Sequence, residues 1–341
     1  MKEFGSDFHY LPVQDSSVRT IADYYPDAAY YAVGRHALID LYKKAGWNSL
    51  WVPEYICHVV LASLEKAGIK LKFYQDTPLA DERDQVLSLP YEKGDALLRV
   101  NYFGLRSRRY NDDIPVPVIE DHTHDLIGDW AINSDADWCI ASLRKTLPLA
   151  EGGILWSPKG NKLQDGLALS PENAQLASIR WEAMKKKSLY LEDEIDDKNE
   201  FRPDMLSTEE QIDGISVSAI DDESLSYIKQ FDIDRWYGLK RENREILKNV
   251  QFKHVAVLEP ENSKCTPFSL TLLFDTATMR NDFRKYLIDH SVYPAILWDI
   301  PQSYSSDAID FSKRMLSIHC DARYSKEEMI QLRHIVAGFR F

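Results

Sequence analysis

The chain has 341 residues, 44% of them hydrophobic, and its 54 acidic side chains outnumber 41 basic ones for a formal net charge of −13. That length suits one large α/β domain or two smaller ones, the apolar content excludes intrinsic disorder, and the negative charge argues against a nucleic-acid partner. Four well-separated cysteines (Cys57, Cys139, Cys265, Cys320) with no CxxC pair read as free thiols of a reducing, cytoplasmic protein, and neither a signal peptide nor a membrane-spanning run is expected.

In chain order, helical periodicity alternates with short apolar runs from Ala28 to Trp156, the pattern of strands buried on both faces and feeding packed helices. A helix through Ala37 to Tyr42 ends near Gly46, Ser49 to Val52 is a strand, His58 to Ala67 is a helix stopped by Gly68, and Ile69 to Tyr74 is the next strand. Further strands are predicted at Ala96 to Val100, Val116 to Ile119 and Trp138 to Ala141, then one that enters through Gly152 and Gly153 and runs to Trp156. Together they predict a mostly parallel sheet flanked by helices. Between Glu192 and Asp213, ten of twenty-two residues are acidic, which predicts an exposed loop. Beyond it follow a helix over Ile233 to Val250, a strand over Ser269 to Phe274, a helix over Met279 to His290, and a helix over Lys326 to Gly338 capped by Ser325. The expected division is a large α/β domain over 1–230 and a smaller α+β domain over 231–341.

Three places carry candidate chemistry. Lys145 lies just past an apolar strand, in Ser142-Leu143-Arg144-Lys145-Thr146. A lysine held in apolar surroundings has a lowered pKa and a larger nucleophilic fraction, which suits Schiff-base formation; the alternative is a solvated lysine in a turn. Val118-Ile119-Glu120-Asp121-His122-Thr123-His124-Asp125 is a strand whose carboxyl end carries acids and two histidines, where ligands of open α/β sheets bind. Asp121 there can pair with a protonated ring nitrogen and His124 can reach a ring oxygen, or Asp121 can simply cap a helix. His122, His124 and Asp125 are also metal-ligand types, which leaves a metal-dependent hydrolase as an alternative. Finally, Gly34 precedes a helix with Arg35 and His36, and a helix amino terminus binds phosphate well, although one such glycine is also simply a turn.

Taken together and in this order, the three places resemble the pyridoxal-phosphate (PLP)-dependent sugar aminotransferases of the DegT/DnrJ/EryC1/StrS family, of fold type I. The resemblance covers most of the chain: Gly34-Arg35-His36-Ala37-Leu38 looks like the phosphate-binding helix start, Glu120-Asp121-His122-Thr123-His124 like the ring-binding segment, and Lys145 with Glu151-Gly152-Gly153 like the Schiff-base segment. It implies an α/β fold of type I with Lys145 as the catalytic residue. PLP would be held by Gly34, Arg35, His36, Ser142, Asp121 and His124. It further implies glutamate as amino donor, a nucleotide-linked keto-sugar as acceptor and a homodimer. Related dehydratases carry histidine where Lys145 stands, so transamination is expected. Arg35 replaces a small hydroxyl residue of the family. Cys57 replaces an aromatic that stacks on the cofactor, leaving Tyr55 or His58 for that role. Ala295 to Trp298 replaces a sugar-side motif. These departures keep open a non-catalytic or regulatory protein of the same fold.

Overall fold

A computed structural model describes residues 3–13, 18–163, 166–214, 216–250 and 253–340. In chain order the strands are β1 (Phe4–Gly5), β2 (Ala29–Tyr31), β3 (Ser49–Pro53), β4 (Leu71–Tyr74), β5 (Asp95–Val100), β6 (Val118–Asp121), β7 (Trp138–Ser142), β8 (Gly153–Trp156), β9 (Val255–Val257), β10 (Leu270–Phe274), β11 (Val292–Tyr293) and β12 (Met315–Ile318). The helices are α1 (Ile21–Tyr24), α2 (Gly34–Ala45), α3 (His58–Lys66), α4 (Arg83–Leu87), α5 (Asp129–Ile132), α6 (Pro171–Leu191), α7 (Arg202–Gln211), α8 (Asp222–Ile228), α9 (Ile233–Lys248), α10 (Ala277–Asp289), α11 (Ser306–Arg314) and α12 (Lys326–Gly338).

Seven strands form the main sheet in the order β2-β8-β7-β6-β5-β3-β4. The five from β7 to β4 run parallel, while β8 is antiparallel to both β7 and β2. Alternation along the strands explains burial on both faces: Leu97, Val118 and Ala141 enter one apolar cluster, whereas Leu98, Ile119 and Ile140 enter the other. Each such side chain contributes about 1.5–3 kcal/mol on leaving water.

Register decides where chemistry can gather. Val100 pairs with Asp121, and Ser142 with Gly153. Because β8 runs backwards, its first residue meets Ser142 at the end of β7, and Asp121 at the end of β6 pairs with Ile140 on the other side of that strand. Gly153 is required there, since a Cβ on it would run into the Val33 carbonyl and lie 2.7 Å from the Gly34 nitrogen. A Cβ on Gly34 would in turn lie 3.1 Å from the Ser142 nitrogen. The two glycines let the start of α2 press directly against the strand ends.

A second sheet, β12-β10-β9, is antiparallel and packs on α10 and α12 through Phe283, Leu287, Met329 and Leu332. Helix α9 joins the two cores: Ile233, Trp236 and Tyr237 sit in the large cluster and Leu247 in the small one. Ser325 caps α12, accepting from Glu328 N while the Glu328 carboxylate accepts from Ser325 N at 2.9 Å.

The acidic stretch expected as a loop contains a helix. Helix α7 buries Met205 and Thr208, and Phe201 before it is also buried, so three anchors in a polar run dock ten residues. One of its acids, Glu209, meets the arginines described below, which composition alone did not reveal. Among the described residues no helix is long and apolar enough to cross a membrane.

Candidate active site

Lys145 occupies a short 3-10 turn directly after β7. Its side chain is crowded by protein but remains 56% exposed, with Nζ 3.9 Å from Glu209 Oε1. The neighbouring Arg144 guanidinium lowers its pKa, burial adds to the effect, and Glu209 opposes it. Solvent damps the shift at that exposure. Cys57, the residue before α3, is near enough to act electrostatically on both Lys145 and Arg35.

Asp121 closes β6. One carboxylate oxygen accepts from Thr123 N at 2.8 Å, and burial raises its pKa while the Thr123 side chain and amide oppose the rise. Thr123 also ties the two strand ends together, because its hydroxyl accepts from Ser142 N at 2.9 Å.

His124 is buried in an aromatic cage of Phe268, Phe103 and Trp298, with ring centroids 4.7, 5.4 and 5.5 Å away. Burial lowers its pKa to about 3, helped by Lys240 and Lys145, so the ring is neutral. Its Nδ1 accepts from Phe103 N at 3.1 Å. The single ring proton therefore sits on Nε2, which makes His124 a hydrogen-bond donor.

Helix α2 begins at Gly34 with no side-chain cap from Val33. Its first amides have no partner within the helix and carry the positive end of its dipole toward Ser142. Arg35 pairs with Asp213. The His36 ring is buried, and its Nδ1 accepts from Ser218 N at 3.3 Å. His58 is exposed in the first turn of α3.

Other expected residues are committed elsewhere. Tyr55 is completely buried, packed against Tyr102, Phe311 and Trp298, and its hydroxyl joins Leu297 O and Trp298 N. It is locked in the core and not free to stack on a ring in the cleft. The metal set is corrected as well: His122 Nε2 bonds Glu120 at 3.1 Å, His124 faces Phe103 N, and Asp125 accepts from Thr266 N at 2.9 Å. The three do not converge. Among the described residues the one cluster with ligand spacing is Glu120, His122 and Cys139. There, burial raises the Glu120 carboxyl, but His122, Ser134 and Asn111 outweigh it and hold the group ionised. That network is satisfied without an ion.

Three residues at the site were missed in the sequence. Arg144 Nη2 donates to both carboxylate oxygens of Glu209 in α7, and Arg180 of α6 donates to Glu209 Oε2 at 3.2 Å. Arg144 was visible beside Lys145, but Arg180 and Glu209 lie in charged helices and meet only through the fold.

No family model and no curated protein matches the sequence. The likeness lies in structure. Spr1654 of Streptococcus pneumoniae, described as a candidate sugar aminotransferase in its PLP form, superposes with a TM-score of 0.66 at 10% identity, covering 98% of each chain. A DegT/DnrJ/EryC1/StrS aminotransferase of Brucella abortus gives 0.58 at 13% identity, over 94% of this chain and 88% of its own. DesI, solved in the presence of its TDP-sugar product, gives 0.61 at 15% identity, over 93% and 82%. The fold, α/β with a mostly parallel sheet and flanking helices, is thus shared with these solved structures.

Proposed function

We propose that the chain is a PLP-dependent aminotransferase that moves an amino group from an amino-acid donor, glutamate, to the keto group of a nucleotide-linked sugar. The observation that carries this reading is the meeting, at one sheet edge, of an accessible amine on Lys145, a carboxylate on Asp121 and a neutral imidazole donor on His124. The uncapped start of α2 abuts that same edge beside Ser142. These groups fit the four polar features of PLP in turn: an aldehyde, a ring nitrogen, a ring oxygen and a phosphate. The structural neighbours support the same assignment, one in a PLP form and one with a TDP-sugar product.

PLP, when bound, supplies a carbonyl that condenses with amines and a ring that absorbs the electron pair released at the donor's α-carbon. The chain's residues do the rest. Lys145 Nζ, made more often neutral by Arg144, provides the covalent attachment and serves as the base that holds and returns a proton. The Asp121 carboxylate would accept the N–H of the ring nitrogen and keep it protonated. His124 Nε2–H donates to the ring oxygen. Ser142 and the amides of Gly34 and Arg35 hold phosphate oxygens. Cys57 and His58 border the cleft where an aromatic stacks in the family, and His36 supports the helix start through Ser218.

In this reading the molecule is a cytoplasmic homodimer with a large domain over 1–230 and a small one over 231–341. Sedimentation tests the dimer. The central test adds PLP to the protein and to Lys145→Ala, then borohydride. A visible band in the wild type alone, with the pyridoxyl mass mapped to Lys145, is the expected result. Colourless protein at saturating PLP sinks the proposal. One observation favours a second reading, a non-catalytic descendant: Glu209 reaches to within 3.9 Å of the lysine. It predicts the same trapped lysine but no spectral change with L-glutamate.

A further inference from the structure

The residues around Lys145 already hold a carboxylate. Arg144 faces Glu209 with a two-oxygen clasp, Arg180 Nη1 lies 3.2 Å from Glu209 Oε2, and Lys145 Nζ lies 3.9 Å from the other oxygen. The host is fixed while the guest is not. Arg144 and Arg180 are only 5% and 10% exposed in their side chains, whereas Glu209 is 44% exposed. Arg180 is held from behind by Met205 O at 3.2 Å and Thr208 Oγ1 at 3.4 Å, and its second nitrogen lies 3.3 Å from Asp7. Two nearly buried guanidiniums so close to each other need an anion between them, and a carboxylate supplies it by meeting Arg144 Nη2 with both oxygens and Arg180 Nη1 with one.

We propose that Arg144 and Arg180 form the receptor for a carboxylate of the amino donor, and that Glu209 closes this receptor when no donor is present. The identity of the ligand rests on the aminotransferase reading; the exchange of one carboxylate for another does not. A donor carboxylate replaces Glu209 charge for charge, so the site stays neutralised throughout. The seat is next to the lysine that acts as base, which puts the donor's α-carbon within that lysine's reach. Glu209, at the exposed end of α7, swings toward solvent without unseating Met205 or Thr208, the anchors of that helix.

An internal competitor weakens the apparent affinity of an external ligand in proportion to the time it occupies the site. Glu209→Gln removes its charge, so carboxylate affinity rises, by about tenfold if the site is closed nine-tenths of the time. The experiment is calorimetric titration of the full chain with glutarate, a dicarboxylate that has no amine and so binds independently of any chemistry at Lys145. Inorganic phosphate is the second probe. The expected result is weak glutarate binding to the wild type, about tenfold tighter binding to Glu209→Gln, loss of that gain in Glu209→Gln/Arg144→Gln, and no comparable gain for phosphate. Unchanged or weaker glutarate binding by Glu209→Gln overturns the gate. An equal gain for phosphate overturns the carboxylate assignment. Glu209→Gln/Arg180→Gln replaces the Arg144 double variant if the latter does not fold, and retention of the full gain by that variant overturns the two-arginine receptor. A protein that passes these titrations yet gives no trapped lysine with PLP keeps the gated carboxylate site and loses the aminotransferase reading.

Discussion

Glu151 illustrates how a residue of a recognisable motif acquires a physical task. Its Oε1 accepts from Asn173 Nδ2 at 3.0 Å and from Asp221 N at 2.6 Å, tying the start of α6 and the turn before α8 to the glycines that follow it. Burial, with the Asp221 carboxylate close by, pushes its pKa from 4.5 up to about 8. The folded state therefore takes up a proton that the unfolded chain lacks between those values. The stability this gives is complete below about pH 4.5 and is lost as pH rises toward 8, by at most about 1.4 kcal/mol per unit. Glu151→Gln keeps the acceptor oxygen, so denaturation at several pH values is expected to give a flatter profile and a more stable protein than wild type at pH 9. At the cleft, Asp121→Asn is expected to retain PLP while slowing the glutamate-driven half-reaction about a hundredfold or more, read by single-turnover absorbance. The lysine, aspartate and histidine stood out as candidates in the sequence because they lie at or just past the ends of apolar strands and match the spacing of the family they resemble. The tautomer of His124 was not, since the amide that fixes it belongs to Phe103, twenty-one residues earlier.

At the scale of elements, six of the seven strands of the main sheet were legible to within a residue or two from apolar runs buried on both faces, whereas the short β2 at its margin was not. The expected helix over 58–67 and strand over 69–74 are found as α3 and β4. Helix α7 was illegible for the opposite reason. Its ten residues are held by few apolar anchors and by ion pairs to Arg144 and Arg180, partners 65 and 29 residues away from Glu209 in the chain. Short edge strands such as β9 and β11 owe their form to a neighbour and leave little trace in pattern. The sharpest test at this scale is the close approach of α2. Gly153→Ala forces a methyl group into the Val33 carbonyl, and thermal denaturation is expected to show a loss of about 1–3 kcal/mol. PLP affinity should fall with it, because the helix start is displaced from Ser142.

Across the whole molecule, the first described residues bind distant parts together. Strand β1 pairs with β11, Gly5 N donates to the Tyr324 hydroxyl at 2.7 Å, and Arg323 reaches the carbonyls of Ser6 and Asp7. Lys187, buried in α6, donates to Ser6 Oγ and Asp7 O at 2.6 Å and lies 3.3 Å from Glu3. Removing residues 1–8 strands that ammonium without its partners. Urea denaturation of the shortened chain is expected to show a loss of about 3–5 kcal/mol, with Lys187→Met in the shortened chain recovering part of it.

The Trp298 ring lies 5.5 Å from that of His124 at an interplanar angle of 24°, and its amide hydrogen-bonds Tyr55. One indole thus rests directly on His124, among eight tryptophans in the chain. Its emission is a built-in optical gauge: a ligand that hydrogen-bonds His124 alters the quencher against which that indole rests. The difference between wild-type and Trp298→Phe fluorescence follows filling of the cleft in real time, with no label attached.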